Sequence, residues 1–115
     1  MKERFRVEFL EEASEFLDHI DEKASEKIIY NIRKAQIIND QTLFRKLSGE
    51  IWEFRTLFNK TFYRLFAFWD KFDRTDTIVI STHGIIKKTD KTPKKEIEKA
   101  ENLRLQYFKQ KYSRQ

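Results

Sequence analysis

Between Ile51 and Ile86 three strand-like runs follow one another with little chain between them, and this limits the fold more than any other feature. Ile51 to Leu57, Thr61 to Trp69 and Thr77 to Ile86 are rich in β-branched and aromatic residues, which suit a pleated surface. Asn59-Lys60 separates the first two and reads as a hairpin turn, although the Gly favoured after Asn is missing. Asp70 to Asp76 is a charged connection to the third. Sequential strands usually pair, so the three form an antiparallel meander. Their polar and apolar residues do not alternate cleanly, so both sides of the sheet are expected to be partly covered.

The flanks supply the cover. Phe5, Val7 and Phe9 alternate with Arg4, Arg6 and Glu8, a period of two that predicts a short first strand. Phe9, Leu10, Ala13, Phe16, Leu17 and Ile20 then switch to helical spacing, giving a helix over 11–20. Ser25 is the expected cap of a second helix running to Ile38, with Ile28, Ile32 and Ala35 on its buried face. At the other end Thr92 reads as an N-cap and Pro93 as the first helical residue of a last helix. Ile97, Ala100, Leu103 and Tyr107 form its apolar stripe, and Ser113 to Gln115 are expected to fray. A charged fraction of 37% could mean disorder, but 11 Phe and 2 Trp in 115 residues can fill a core. The expectation is one α+β domain over 1–115, ordered β-α-α-β-β-β-α: a small antiparallel sheet with an N-terminal helical hairpin and a C-terminal helix.

Several chemistries are excluded. Without Cys there is no disulfide framework or thiolate site, which favours the cytoplasm for a domain this small. The start, Met1-Lys2-Glu3-Arg4, does not read as a signal peptide. The most apolar segment, Phe62 to Trp69, is too short for a membrane span and contains Arg64. No Gly-rich phosphate loop, zinc-protease motif or nucleophile elbow is present. With only His19 and His83 as imidazoles, no metal or cofactor site is expected, and His19, beside Asp18 and Asp21, reads as a surface residue.

Charge points elsewhere. Residues 1–44 carry 7 Lys/Arg against 10 Asp/Glu, and residues 45–115 carry 17 against 9, so the basic character belongs to the second part of the chain. A basic surface attracts nucleic acid or an acidic protein. Two cations, Arg55 and Arg64, lie inside predicted strands, where a buried charge needs a partner or solvent. Either each pairs with a carboxylate, with Glu53 or Glu50 as candidates for Arg55, or both line an open face that binds phosphate. From Lys87 to Lys95 five Lys accompany a single acid, Asp90, around a predicted helix start. Lysine there opposes the helix dipole, so Lys94 and Lys95 do not serve stability; the segment suits an anion, or is a solvated loop.

Three blocks of sequence, KLSGEIWEFR from Lys46 to Arg55, FYRLF from Phe62 to Phe66 and HGIIKKTDKTPKKEI from His83 to Ile97, resemble in order and spacing the phage-derived branch of the HigB-like toxins of the RelE/ParE superfamily. With the helices on either side the resemblance covers nearly the whole chain. It implies a RelE-like fold and a toxin of a type II toxin–antitoxin system that cleaves messenger RNA on the ribosome without a metal or cofactor. It also implies a helix-turn-helix, HigA-like antitoxin in a hetero-oligomeric complex. By the same resemblance Arg64 and Arg55 stabilise the scissile phosphate. Lys87 and Lys88 stand at the basic end of the last strand; they and Lys91 would bind the RNA backbone, and one of the three, its pKa lowered by neighbouring cations, is the candidate for proton transfer, with His83 and Glu53 as rival bases. Lys46, Lys91, Lys94 and Lys95 complete the RNA-binding set. Two other readings stay open: a ParE-like gyrase inhibitor without RNase chemistry, and a non-catalytic nucleic-acid-binding relative.

Overall fold

A computed structural model describes residues 2–71 and 77–113. The described elements are β1 (Arg6–Phe9), α1 (Glu11–His19), α2 (Glu22–Ile37), β2 (Phe44–Ser48), β3 (Ile51–Phe58), β4 (Thr61–Asp70), β5 (Ile78–Lys87) and α3 (Lys94–Ser113). They build one five-stranded sheet in the order β1-β5-β4-β3-β2. The predicted meander is β3, β4 and β5, antiparallel throughout.

Two corrections apply to the sheet. It is mixed and not purely antiparallel, because β1 runs parallel to β5, with Val7 opposite Val79. The α1–α2 hairpin carries the chain from β1 at one edge of the sheet across to β2 at the other, and β3, β4 and β5 then step back until β5 lies beside β1. It also has a strand the sequence reading missed: β2 pairs antiparallel with β3, through a turn at Gly49, whose φ of 57° lies in the left-handed region.

Burial on both faces explains the blurred alternation of the strands. Along β4, Leu65 and Ala67 pack with Ile28, Ile32 and Ala35 of α2 and with Phe5, Phe44 and Phe54. The intervening Phe66 and Phe68 pack on the other face with Ile51, Ile80 and Ala100 of α3. Every residue from Tyr63 to Phe68 is buried, as in a central strand covered on both sides. The rings of Phe44 and Phe54 stack at 4.3 Å and Phe5 meets Trp69 edge-on at 5.2 Å, which fixes the first core laterally.

Helix and turn ends differ from expectation in instructive ways. α2 begins earlier than predicted because Asp21, and not Ser25, caps it: its Oδ2 accepts the Ala24 N–H at 3.1 Å. α3 starts at Lys94, after Pro93, and the Thr92 hydroxyl is drawn away to Glu53. The β3–β4 hairpin closes on Asn59 (φ 51°) and Lys60 (φ 59°), so the two-residue turn forms without glycine. Ser113, expected to fray, still belongs to α3; residues 114–115 and most of the charged connection, 72–76, lie outside the described residues. Among the described residues no helix is long and apolar enough to cross a membrane.

α3 covers only part of its face. Its far end is tied to β4, where buried Asp70 accepts bonds from the Tyr107 hydroxyl and from Lys111, each at 2.6 Å. Burial and the Asp70 carboxylate push the Tyr107 hydroxyl well above the usual phenol range. Near the β3–β4 turn, where α3 does not reach, the β5–α3 loop folds over the sheet instead.

Candidate functional site

On that loop-covered part of the sheet, residues at alternating strand positions converge: Arg45 from β2, Glu53 and Arg55 from β3, Arg64 from β4 and Lys87 from β5. Arg55 and Arg64 stand directly opposite each other in the antiparallel register. Like charges in that position repel, so the arrangement depends on the carboxylates around it.

Glu53 is the inner one, with no solvent exposure at all. Its Oε2 accepts the Arg45 Nε–H at 2.9 Å and lies 3.5 Å from Arg55 Nε. Its Oε1 lies 3.4 Å from Arg64 Nε and accepts the Thr92 hydroxyl at 3.1 Å. Asp90 is the outer one, carried by the β5–α3 loop. Its two oxygens accept from Arg55 Nη2 at 2.9 and 3.1 Å, and Arg64 Nη2 also donates to its Oδ1. Arg64 Nη1 donates to the Tyr63 carbonyl at 3.1 Å. The Nε–H groups of Arg55 and Arg64 have no hydrogen-bond partner, although both face Glu53 at ion-pair distance.

The environment shifts these groups. Burial draws the Arg64 guanidinium below its ordinary range, opposed by the Glu53 charge. Lys87 is 6% exposed; burial and then the Arg64 charge lower its ammonium pKa. Its Nζ donates to the Thr92 hydroxyl at 3.4 Å. The Arg55 hydrogen bond holds the Asp90 carboxyl below the usual carboxylate range. Against the two carboxylates stand four cations, so the cluster keeps an excess of positive charge. The Phe62 ring lies 5.4 Å from the Arg64 guanidinium and borders the cluster on the turn side.

The sequence left two readings for the strand arginines, carboxylate pairing or an anion-binding face. The pairing exists: Glu53 is its centre for both, while Asp90 is the partner the sequence reading did not name. Glu53 itself, expected as a rival base, is sealed from solvent and ringed by three guanidinium groups and a hydroxyl. That placement suits a carboxylate that aligns arginines. His83 is also buried, and its ring lies over Phe66 with centroids 4.8 Å apart. One nitrogen pairs with the Thr82 hydroxyl at 2.9 Å and the other with Glu96 at 3.1 Å. Burial lowers its pKa and favours the neutral imidazole, and its contacts run to its own strand and to α3, not to the arginines. The next residue, Gly84, has a packing reason: a Cβ there would come within 2.4 Å of the Phe16 ring from α1.

The lysines divide. Lys87, Lys88, Lys91 and Lys95 line an open cleft of about 600 Å³ between the end of β5, the loop and the start of α3, with Glu96 among its other walls. Lys94 is exposed at the helix start, outside that lining. Lys46 stands opposite Trp52, whose side chain packs into the α1–α2 core, so Lys46 belongs to the other face of the sheet. His19 is exposed, with Nδ1 2.7 Å from the Glu15 carbonyl.

Arg45, Asp90, Thr92 and Glu96 were not among the predicted site residues. Asp90 carried a signal, as the lone acid in a lysine run. Thr92 was visible only as a helix cap, and Arg45 lay on the strand that was missed. A family model described as Phage derived protein Gp49-like (DUF891) matches residues 15–105, a span that contains the whole cluster. No curated protein matches the chain.

Proposed function

The chain belongs to the phage-derived Gp49-like family, and from that premise we propose that it is the toxin of a type II toxin–antitoxin pair, acting as a messenger-RNA endoribonuclease on the ribosome. The family is consistent with a toxin. The observation that carries the nuclease reading is the opposed Arg55–Arg64 pair, buried to different depths and aimed at one anionic group, with a lysine of lowered pKa beside it. Two like charges opposite each other in central strands are a cost to the fold, and together they match the two anionic oxygens of a phosphodiester.

In this reading the 2′-hydroxyl oxygen attacks the adjacent phosphorus. The bond from phosphorus to the 5′ oxygen breaks, leaving a cyclic phosphate and a 5′-hydroxyl. Arg55 and Arg64 neutralise the charge that builds on the phosphoryl oxygens, a role typically worth about 10²–10³-fold in rate per donor. The 2′-hydroxyl proton passes to water, and Lys87 supplies the proton that the departing 5′ oxygen takes up, because burial loosens the proton of its ammonium; Thr92 holds its Nζ in place. Glu53 positions the arginines. Lys88, Lys91 and Lys95 bind the RNA backbone along the cleft, and Lys94 adds charge beside it. The partners are messenger RNA in the ribosome and a helix-turn-helix antitoxin, and the compartment is the cytoplasm.

The test is a cell-free translation reaction with the full chain, reading the chemistry of the new RNA ends. Cuts ending in cyclic phosphate and 5′-hydroxyl, reduced at least about 100-fold by Arg64→Lys, support the reading. Arg64→Lys is preferred to alanine because it keeps a cation beside buried Glu53. Inhibition of translation with intact RNA overturns it.

A further inference from the structure

Asp90 is out of character with its surroundings. It is the single acid between Lys87 and Lys95, in a stretch without regular structure from Lys88 to Pro93. Its side chain is 56% exposed, yet both of its oxygens are committed to arginines that are 17% and 2% exposed. A carboxylate bridging two guanidinium groups offers them two anionic oxygens, as the non-bridging oxygens of a phosphodiester would. Taking Arg55 and Arg64 as the phosphate seat, as proposed above, we infer that Asp90 is a built-in occupant of that seat, and that RNA binds by displacing it.

The exchange is chemically balanced. The seat holds one anion in the closed free protein and one in the RNA complex, so in both end states the buried Arg64 has a counter-charge beyond Glu53. The displaced carboxylate is already at the surface, and Lys88 and Lys91 flank it in sequence. Thr92 stays in place through its bond to Glu53, and Lys87 through its bond to Thr92. The segment that must move is therefore Lys88 to Lys91, which also carries two of the cleft's lysines. Loop release and RNA capture are coupled: the same segment that vacates the arginines brings lysines to the incoming backbone. The free protein is thus partly self-inhibited, and its affinity for RNA is reduced by the fraction of molecules in which Asp90 is seated.

The experiment titrates the full chain with a short 2′-O-methyl oligoribonucleotide, which lacks the attacking hydroxyl, and follows the Arg55 and Arg64 Nε–H resonances by NMR. Wild type is compared with Asp90→Asn, Asp90→Glu and a charge-matched control on exposed α3 surface, Glu98→Gln. If Asp90 is seated in about nine molecules of ten, Asp90→Asn binds about 10-fold tighter, Asp90→Glu stays near wild type, and Glu98→Gln changes affinity far less than Asp90→Asn. Equal tightening by Asp90→Asn and Glu98→Gln, or none by Asp90→Asn, overturns the inference and leaves the phosphate seat standing. Arginine resonances that do not respond to the oligonucleotide in any variant overturn both.

Discussion

Removing the inner carboxylate tests the physics of the cluster. In Glu53→Gln three guanidinium groups lose their shared counter-charge. They do not suffer equally. Arg45 is 40% exposed and can be solvated, so its loss is small. Arg64, at 2% exposure, cannot reach water and keeps only Asp90 as a counter-charge. Breaking a buried ion pair by deleting one partner typically costs about 3–5 kcal/mol. The retained Asp90 contact places the expected loss at the lower end, about 3 kcal/mol, a large share of the ~5–15 kcal/mol that holds a domain together. The double variant Glu53→Gln/Arg64→Met removes both charges and should recover part of that loss, because an apolar side chain of similar length tolerates the site better than an uncompensated cation. Urea unfolding followed by far-UV circular dichroism measures all the variants, with unchanged m values required for the comparison. A single-variant loss under about 1 kcal/mol, the range of exposed pairs, would refute the argument that the cluster is a buried, mutually dependent network.

Gly84→Ala should cost about 1–3 kcal/mol by driving a methyl group into the Phe16 ring, and Phe16→Leu in the same chain should relieve part of it in thermal melts. His83 has a folded pKa below its unfolded value of 6.5, so the unfolded state binds the proton more readily. Its neutral form therefore supports the fold above about pH 6.5, and that support is lost as pH falls below it. His83→Gln should accordingly show a shallower fall in melting temperature than wild type between about pH 7 and pH 5, and equal slopes would count against the buried, neutral assignment. Asp70→Asn weakens the tie between β4 and the end of α3 and should lower stability by about 1–3 kcal/mol, with hydrogen exchange increased first in the last turns of α3. Lys91→Ala should lower the salt slope of RNA binding by about 1 without altering the thermal melt.

What was legible in the sequence followed local periodicity. The three central strands show as runs of β-branched and aromatic residues, and the stripes of Ile28, Ile32 and Ala35 and of Ile97 and Ala100 mark real packing faces. The parallel pairing of β1 with β5 was not legible, because nothing in Arg6–Phe9 says which strand, about seventy residues away, will be its neighbour. β2 was missed because only five residues of it exist, and charges interrupt its apolar positions. Thr92 misled for a different reason: its hydroxyl is turned toward a carboxylate on a distant strand, to which it donates, and no window of sequence contains that partner. The strand arginines stood out as an anomaly and proved to be the middle of the cluster. Their partners divided by distance. Glu53 is two residues from Arg55 and could be named in advance, whereas Asp90 is 35 residues away and is recruited only when the loop folds back.

The central claim is that the Arg55–Arg64 face cuts messenger RNA during translation. The most direct measurement is brief induction of wild type and Arg64→Lys in a bacterial host, with 5′ ends of cellular messenger RNA mapped across the transcriptome and folding of the variant checked by circular dichroism. The account predicts growth arrest with new cuts in phase with codons for wild type, and neither for the folded variant. Growth arrest without new cuts, or equal cutting by both, would contradict it.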